Sequence, residues 1–390
     1  MTLLAVGLAF VAGGTGRAAG AGGEVSLSLG QATEKALASS QQVRLAELAV
    51  ERDRLGVREA RNLASTMRDL QDMPLPAESG PSGPGKIDVD LAVEVGPGQA
   101  QDALYVSERN VEAVKRQVQA DAEQAYFSAL LAQEAVKVRQ ESLRLAEEQL
   151  RLARVGLEAG VRARAEVLAA EVQVAQARAA LQTEEKNREL AFAALRQKLG
   201  LPAETRITLT DPLAPGELPA TTLDEALRHA TENSLSLYQL SRGVEHQKKV
   251  VEIVARYLPG TFRHRKELYT QKQLEIRLED ARNQLELAVR GAYLDMVNAH
   301  AQIAQYDKAI EQAEENLRLQ RLRYEAGLGT GVEVDGAASQ LTAVRLQRLK
   351  AVYDFRVSRS KFDLLVQGPP VSTQVPAGQA APGAPAGFGA

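Results

Sequence analysis

The chain has 390 residues, a formal net charge of −3 and no cysteine, and aromatic residues make up only 4% of it. The lack of cysteine excludes disulfides, thiol catalysis and cysteine-ligated metals, and the balanced charge gives no basis for binding nucleic acid. So few aromatic side chains favour thin seams between Ala- and Leu-rich helices over a thick globular core.

Residues 1–23 are predicted to be a signal peptide. Residues 1–12 form a short apolar run, and the small residues Ala-Ala-Gly follow at 18–20. This order is typical of an export signal and its cleavage site, although the first positive charge comes only at Arg17. A disordered Gly/Ala leader is the alternative. No later segment reaches the ~18 apolar residues that a membrane-spanning helix needs, so we expect no such helix in the exported protein.

The rest of the chain contains one pattern twice. Residues 148–178 align with 315–345 without a gap, so that Gly160 matches Gly327. In both copies, apolar residues before the glycine recur in alternating steps of four and three, which is the pattern of a helix packed along its length. Since an internal repeat uses one structural unit twice, we expect two long-helix hairpins, each turning at a glycine.

The first repeat is predicted to span residues 24–200. Its helices should run over about 29–67, 102–157 and 165–199. Between the first two lies a Pro/Gly-rich loop, followed by apolar residues at every second position from 87 to 95. Strict alternation predicts a β-strand, the only strand we expect in the chain.

A Pro/Gly-rich linker at 201–220 leads to the second repeat at 221–367. Its helices should run over about 223–257, 265–326 and 334–365. The tail at 368–390 is rich in Pro, Gly and Ala and is predicted to be disordered.

The length of the helices predicts an elongated, oligomeric protein. A helix over 265–326 would be ~93 Å long, so two short helices must stack end to end to cover it. The long helices also carry apolar residues outside the main seam, such as Leu145 and Leu152 beside Leu143 and Leu150. Because extra stripes mean neighbours on two sides, we expect a hollow homo-oligomer of all-α subunits.

These features resemble the TolC family of outer-membrane efflux proteins over about residues 25–367. Beside the twofold repeat, the resemblance rests on four segments: LDEALRHATENS at 223–234, LEAGVRARAEVLAAE at 157–171, YEAGLGTGVEVD at 324–335 and AFAALRQKLGLP at 191–202. It implies an all-α fold in which two tandem coiled-coil hairpins form part of a TolC-like α-barrel. It also implies a homotrimer that serves as a passive conduit for efflux or type I secretion, with a periplasmic adaptor (a membrane fusion protein) and an inner-membrane transporter as partners.

The same resemblance implies an exported protein of the cell envelope, in the outer membrane or the periplasm. The sequence departs from the family where its members carry paired strands of a membrane barrel. In the second repeat, residues 255–273 pass almost directly from helix to helix, with Pro259-Gly260 as the breaker. One strand per subunit at 87–95 cannot close a barrel in lipid. We therefore expect membrane association to be indirect or through a reduced barrel.

The resemblance places the functional residues at the two glycine hairpins. The hairpin tips, which would also dock the adaptor, comprise Gly160, Arg162, Arg164, Glu166, Gly327 and Leu328. A solvated loop is the alternative for the charged members of this set. The basic residue that the family usually has shortly after the second glycine is absent, since Gly329, Thr330 and Gly331 stand there.

Three further residues are implied at the gate and entrance: Tyr324, Glu333 and Asp335. Tyr324 matches a tyrosine that helps to latch the closed tip in the family. In a trimer the two carboxylates would form a six-membered ring that attracts cations. Ordinary helix capping is the equal alternative, because acidic residues favour the start of a helix.

The sequence offers no support for an enzyme. The four histidines are scattered without metal-ligand spacing, and no catalytic group, cofactor site or metal site is predicted. A non-conducting coiled-coil scaffold or spacer of the envelope is the main alternative function. A periplasmic adaptor is less consistent with the chain, because adaptors flank one hairpin with β-rich domains.

Overall fold

The computed structural model describes residues 24–80 and 83–371, so the predicted signal peptide and most of the predicted tail lie outside it. In chain order the elements are β1 (Glu24–Leu27), α1 (Leu29–Ser39), α2 (Gln41–Arg68), α3 (Lys86–Asp90), a π-helical turn (Leu91–Val95), α4 (Gly96–Glu158), α5 (Arg164–Lys198), β2 (Arg206–Leu209), α6 (Leu223–Asn233), α7 (Leu235–Tyr257), α8 (Phe262–Glu325) and α9 (Gly331–Gln367).

The internal repeat is visible in the lengths of these helices. The long helices α4 and α8 have 63 and 64 residues, and the returning helices α5 and α9 have 35 and 37. α2 and α5 both pack on α4, while α7 and α9 both pack on α8. Two shorter helices therefore cover each long one end to end, and the predicted all-α fold of two tandem hairpins is confirmed.

The helices form a wall with two different edges. In one half of the molecule the neighbours follow the order α2, α4, α7, α8, and in the other half the order is α5, α4, α9, α8. The two repeats meet where α4 packs on α7 and α9. One edge of the wall is therefore formed by α2 and α5, and the other edge is formed by α8 alone. Within the described residues, no helix combines the length and the apolar character needed to cross a membrane.

The first helix of each repeat is broken once, where the sequence predicted a continuous helix. The breaks fall at Ser40 and Ser234, whose hydroxyls accept hydrogen bonds from the amides of Val43 (3.4 Å) and Leu237 (3.3 Å). In a continuous helix each of these amides would donate to a backbone carbonyl one turn earlier. The serine hydroxyl accepts that hydrogen bond instead and so caps the start of the next helix. The same side chain therefore introduces the same bend in both copies.

The predicted strand at 87–95 is wrong, because this segment is helical and leads directly into α4. Ile87, Leu91 and Val95 also recur at every fourth position, and on a helix they form one face. That face packs on Ile253 and Val254 of α7. A lone strand would leave its backbone groups without partners, whereas a helix satisfies them internally.

The structure has two short strands where at most one was expected. β1 pairs in parallel with β2, which lies inside the predicted linker, so the start of the first repeat is held to the joint between the repeats. The hydroxyl of Tyr126 on α4 lies 3.0 Å from the Leu27 carbonyl oxygen and 2.9 Å from Oδ2 of Asp211. Each strand has only four residues, too few for alternation to stand out in the sequence, which explains why both strands were missed.

The prediction of a disordered tail from residue 368 is wrong for residues 368–371. Gly368 has a φ of +87°, and a Cβ at this position would clash with the backbone of Asn233. Its carbonyl accepts a hydrogen bond from Arg116 at 3.2 Å, and the amide of Val371 donates to Asn110 at 2.8 Å. This segment is therefore held against α4.

We expect the substitution Tyr126→Phe to lower the free energy of unfolding by about 1–3 kcal/mol. The change removes the buried hydroxyl that joins α4 to the β1 carbonyl and to Asp211. Urea unfolding followed by circular dichroism measures the effect. Tyr105→Phe is the matched control, because Tyr105 is an exposed tyrosine on the same helix, α4. Equal unfolding midpoints for the two variants would show that the Tyr126 hydroxyl does not stabilise the fold.

Candidate functional site: the hairpin tips

Both hairpins turn at glycines in the left-handed backbone region. Gly160 has a φ of +74° between α4 and α5, and Gly327 has a φ of +75° between α8 and α9. This conformation strains residues that carry a Cβ, which is why glycine ends both long helices. In each turn the amide of the glycine donates back to a carbonyl of the last helical turn, that of Leu157 or Tyr324, at 3.0 Å.

Arg162 connects the first hairpin to the second. Its Nη2 donates to the Tyr324 carbonyl oxygen at 2.7 Å, and its guanidinium carbon lies 3.9 Å from the centre of the Tyr324 ring. Only 17% of the Arg162 side chain is exposed. The side chain is therefore turned into the cleft between the hairpins, whereas Arg164 on the same turn is exposed. Glu166 lies beside Arg162, with a contact of 3.5 Å.

Tyr324 is buried at the centre of the tip. It is 4% exposed and belongs to an apolar cluster with Leu145 of α4, Leu317 of α8 and Val334 of α9. Its hydroxyl oxygen is buried without a hydrogen-bond partner among the described residues. Burial raises the pKa of Tyr324, so the phenol stays neutral. The ring is thus packed between the repeats, and the role of Tyr324 as a latch of the closed tip stays a prediction.

The two entrance carboxylates lie in different environments. The Glu333 carboxylate accepts a hydrogen bond from the Thr330 amide at 2.8 Å and forms a capping box at the start of α9. This backbone hydrogen bond lowers the pKa of Glu333. Asp335 takes no part in the cap, and burial raises its pKa to about 6. The capping alternative therefore describes Glu333, while a carboxylate ring stays a prediction that concerns Asp335.

A cavity of about 280 Å³ separates the hairpins behind the tip. α4, α5, α8 and α9 all contribute to its lining, which includes Gln149, Gln173, Tyr324 and Asp335. At its far end Arg139 lies 3.7 Å from Glu184 of α5. Asp335 is half-buried in the lining of this cavity.

Exposed apolar side chains surround the two turns. Val161, Leu328 and Val332 are 74%, 76% and 71% exposed. Of these three residues, only Leu328 belongs to the docking set predicted from the sequence. The signal for Val161 was available, since it follows Gly160 directly, as Leu328 follows Gly327. Clustered exposed apolar side chains indicate a protein-interaction surface, so we define the tip patch as Val161, Leu328 and Val332.

Comparison with known proteins agrees with this architecture. Among solved structures, the chain is similar to the channel protein CusC (TM-score 0.68, 16% identity, covering 87% of this chain and 92% of that one). It is also similar to VceC from Vibrio cholerae (TM-score 0.65, 15% identity, 87% and 96% covered) and to the open MtrE channel of Neisseria gonorrhoeae (TM-score 0.63, 18% identity, 87% and 89% covered). At these identities the likeness concerns the fold.

Among curated proteins, none matches the chain significantly. The sequence model of the family described as "Outer membrane efflux protein" matches residues 98–201 and 258–362, more than half of the chain. The two matched segments are the α4–α5 hairpin and the α8–α9 hairpin, one from each repeat. The chain therefore belongs to the outer membrane efflux protein family, whose members are efflux channel components of the cell envelope.

Proposed function

We propose that this chain is one subunit of a homotrimeric conduit for efflux or type I secretion, gated at the Gly160 and Gly327 hairpins. The family is one of conduits, which favours a passive passage over catalysis. The observation that carries the proposal is the pair of apolar edges left open on the helical wall. A single copy of the wall has nothing among its described residues to cover either edge.

The α8 edge carries exposed apolar residues at regular spacing. Tyr269 and Ile276 are one heptad apart, and so are Leu287 and Leu294. Leu274 and Leu278, which flank Ile276 on the other side of the helix, are half-buried. A heptad repeat of exposed apolar side chains indicates a missing helix partner.

The opposite edge carries the matching feature. On α2, which packs on α4, the side chains of Leu48, Leu55 and Leu63 are exposed, while Val50 and Val57 are buried. On α5 the exposed residues include Leu168 and Val172. A second copy that places its α2 and α5 against α8 would bury both stripes at once. Repetition of this contact curves the wall into a closed ring around a lumen.

The tip patch fits the expected docking partner. Val161, Leu328 and Val332 are exposed around the two turns, with Arg164 exposed beside them. A periplasmic adaptor with a helical hairpin would cover such a surface, and an inner-membrane transporter joined to that adaptor would supply the energy. The conduit itself would lie in the envelope, in the outer membrane or the periplasm, and would contribute only passage and gating.

Particle images test the conduit directly. We expect negative-stain averages of the purified chain to show a hollow cylinder with threefold symmetry. The double variant Ile276→Glu with Leu294→Glu should give single chains, because it places charges on the α8 stripe. Arg277→Glu is the control, since it changes the charge by the same amount at an exposed position on the same helix, about a quarter of a turn away from the stripe. A solid bundle would favour the scaffold, and monomeric wild-type rods would overturn both functions.

A further inference from the structure

We propose that the start of α8 is a contact surface for an anionic phospholipid bilayer. Phe262 enters the interface of the bilayer, and Arg265 and Lys266 bind the lipid phosphates. This surface lies at the end of α8 that is opposite to the hairpin tips. Such a contact goes beyond passage and gating, because each chain makes it with its own residues.

The two repeats carry opposite charges in this region. Residues 255–273 contain five Lys or Arg and one Glu, a net charge of +4, in a chain whose overall charge is −3. The aligned residues of the first repeat, 88–106, contain four Asp or Glu and no Lys or Arg. The second repeat has therefore gained a basic segment at the point where the first repeat is acidic.

The acidic segment of the first repeat neutralises only part of the basic one. Arg256 lies 2.9 Å from both Asp90 and Glu94, and Arg263 lies 4.0 Å from Asp88. Three further basic side chains are exposed and form no ion pair among the described residues: Arg265, Lys266 and Lys272. These three cations are available to an anionic partner outside the chain.

Phe262 is the most exposed large apolar side chain of the described residues, at 90%. It is the first residue of α8. Because helical side chains tilt toward the N-terminus of their helix, the ring projects past the start of α8. Arg265 and Lys266 follow one turn later, roughly 5 Å behind the ring along the helix. An aromatic ring followed by cations matches the order of acyl chains and phosphates in a bilayer, where interfacial side chains reach ~5–10 Å deep.

A second copy of the chain fits this surface less well than a bilayer does. Phe262 lies one heptad before Tyr269, on the α8 stripe that α2 of the next copy would cover in the ring. That α2 ends at Arg68, at the level where α8 begins. Its last residues, 58–68, contain three Arg and one Glu. Basic residues would therefore face basic residues, and the ring would gather cations at one end. An anionic lipid surface attracts such a cluster.

Vesicle flotation tests this contact with the full chain. We expect the wild-type chain to float with vesicles made of equal amounts of phosphatidylcholine and phosphatidylglycerol, and to bind far less to phosphatidylcholine alone. Higher salt should weaken the binding, because salt screens the attraction between the cations and the headgroups.

The double variant Arg265→Gln with Lys266→Gln should lower the binding constant roughly tenfold or more, since each cation near an anionic surface adds to the affinity. Arg277→Gln with Arg282→Gln is the matched control and should bind like the wild type. It removes the same charge from exposed positions on the same helix, roughly 20 Å or more from Phe262.

Phe262→Ser tests the apolar part of the contact and should also lower the binding constant roughly tenfold. Leu190→Ser is its control, because Leu190 is an apolar residue on α5 that is 60% exposed. A polarity-sensitive fluorophore on Phe262→Cys should shift to the blue with anionic vesicles, whereas the same fluorophore on Val332→Cys should not. The natural chain has no cysteine that would compete for the label.

Three results would overturn the proposal: no binding of the wild type to anionic vesicles, equal binding to both kinds of vesicle, or equal binding by the Arg265/Lys266 variant and its control. The first result would leave an acidic protein segment as the partner of the three cations. Because the vesicle assay requires no hollow trimer, failure of the conduit and failure of the lipid contact are separate outcomes.

Discussion

A chain that carries both Leu55→Cys and Ile276→Cys should form covalent trimers under mild oxidation. Leu55 lies on the exposed stripe of α2, and Ile276 lies on the exposed stripe of α8. In the proposed ring, each copy places its α2 edge against the α8 edge of the next copy. The two new thiols would then meet across every contact, and non-reducing electrophoresis should show dimer and trimer bands that disappear on reduction.

The heights of Leu55 and Ile276 along the wall can be compared because α2 ends at the level where α8 begins. α2 ends at Arg68 and α8 begins at Phe262. Gln71 and Tyr257, which lie close to these two ends, both hydrogen-bond to Asp90, at 3.2 and 2.8 Å, so the ends are at one level. The helical rise places Leu55 roughly 20 Å and Ile276 roughly 21 Å from that level. The two positions therefore agree in height to within about 2 Å.

The controls separate specific contact from random collision. Because the natural chain has no cysteine, neither single variant can link more than two copies. The pair Leu55→Cys with Val332→Cys joins the same α2 site to an exposed residue at the opposite end of the molecule. It should give no more dimer than the single variants. Equal yields of higher bands from both pairs would contradict the edge-to-edge ring.

The fold was largely predictable because one signal was repeated over long segments. Heptads that run for about forty residues identify a helix, and two copies of them identify the hairpins. Short features were predicted wrongly because they lack this repetition. Residues 87–95 fit both a two-residue and a four-residue period, and only the packing of Ile87 and Val95 on Ile253 and Val254 decides for the helix.

The sequence predicted where the hairpin tips lie, but it did not predict how their side chains are oriented. The glycines at 160 and 327 mark the turns by their backbone conformation alone. The orientation of a side chain on a turn depends on its neighbours, and in this case Gly156 decides where Arg162 lies. That information is present in the sequence, since the second repeat has Arg323 and Gly329 where the first has Gly156 and Arg162, but it becomes interpretable only when the two turns are seen in contact.

The tip should be most firmly closed in acid and should loosen as the pH rises from 3.8 to about 6. Asp335 is half-buried beside the cavity between the hairpins, and burial raises its pKa to about 6 from an ordinary value of 3.8. Among the described residues it forms no ion pair that would compensate its charge. The neutral carboxyl therefore suits the closed tip, and the ionised one favours any arrangement that exposes it to water.

The direction of this pH effect follows from the pKa of Asp335 in the closed tip and its ordinary pKa when the group is exposed to water. Below pH 3.8 the group is neutral whether buried or exposed, so the closed state carries no penalty from it. Between pH 3.8 and about 6 the exposed form ionises first, and the closed state loses stability. Above about 6 the loss is complete and constant. Since solvent still screens part of the group, we expect the loss to be about 1 kcal/mol.

Asp335→Asn should remove this dependence and keep the tip closed from pH 4.5 to 8. Spin labels at Val161→Cys and Leu328→Cys, two exposed positions in a chain without cysteine, measure it as the fraction of chains with a short distance between the two turns at each pH. Glu333→Gln is the matched control, because it removes a nearby carboxylate whose hydrogen bond to the Thr330 amide lowers its pKa. A lowered pKa means that this carboxylate stabilises the folded cap at high pH and that its contribution is lost in acid, so Glu333→Gln should keep the Asp335 transition and affect mainly the start of α9. If Asp335→Asn still lost the closed tip as the pH rises, another titrating group would have to cause the loss. The closed tip would then owe its stability to Arg162 and the apolar cluster alone.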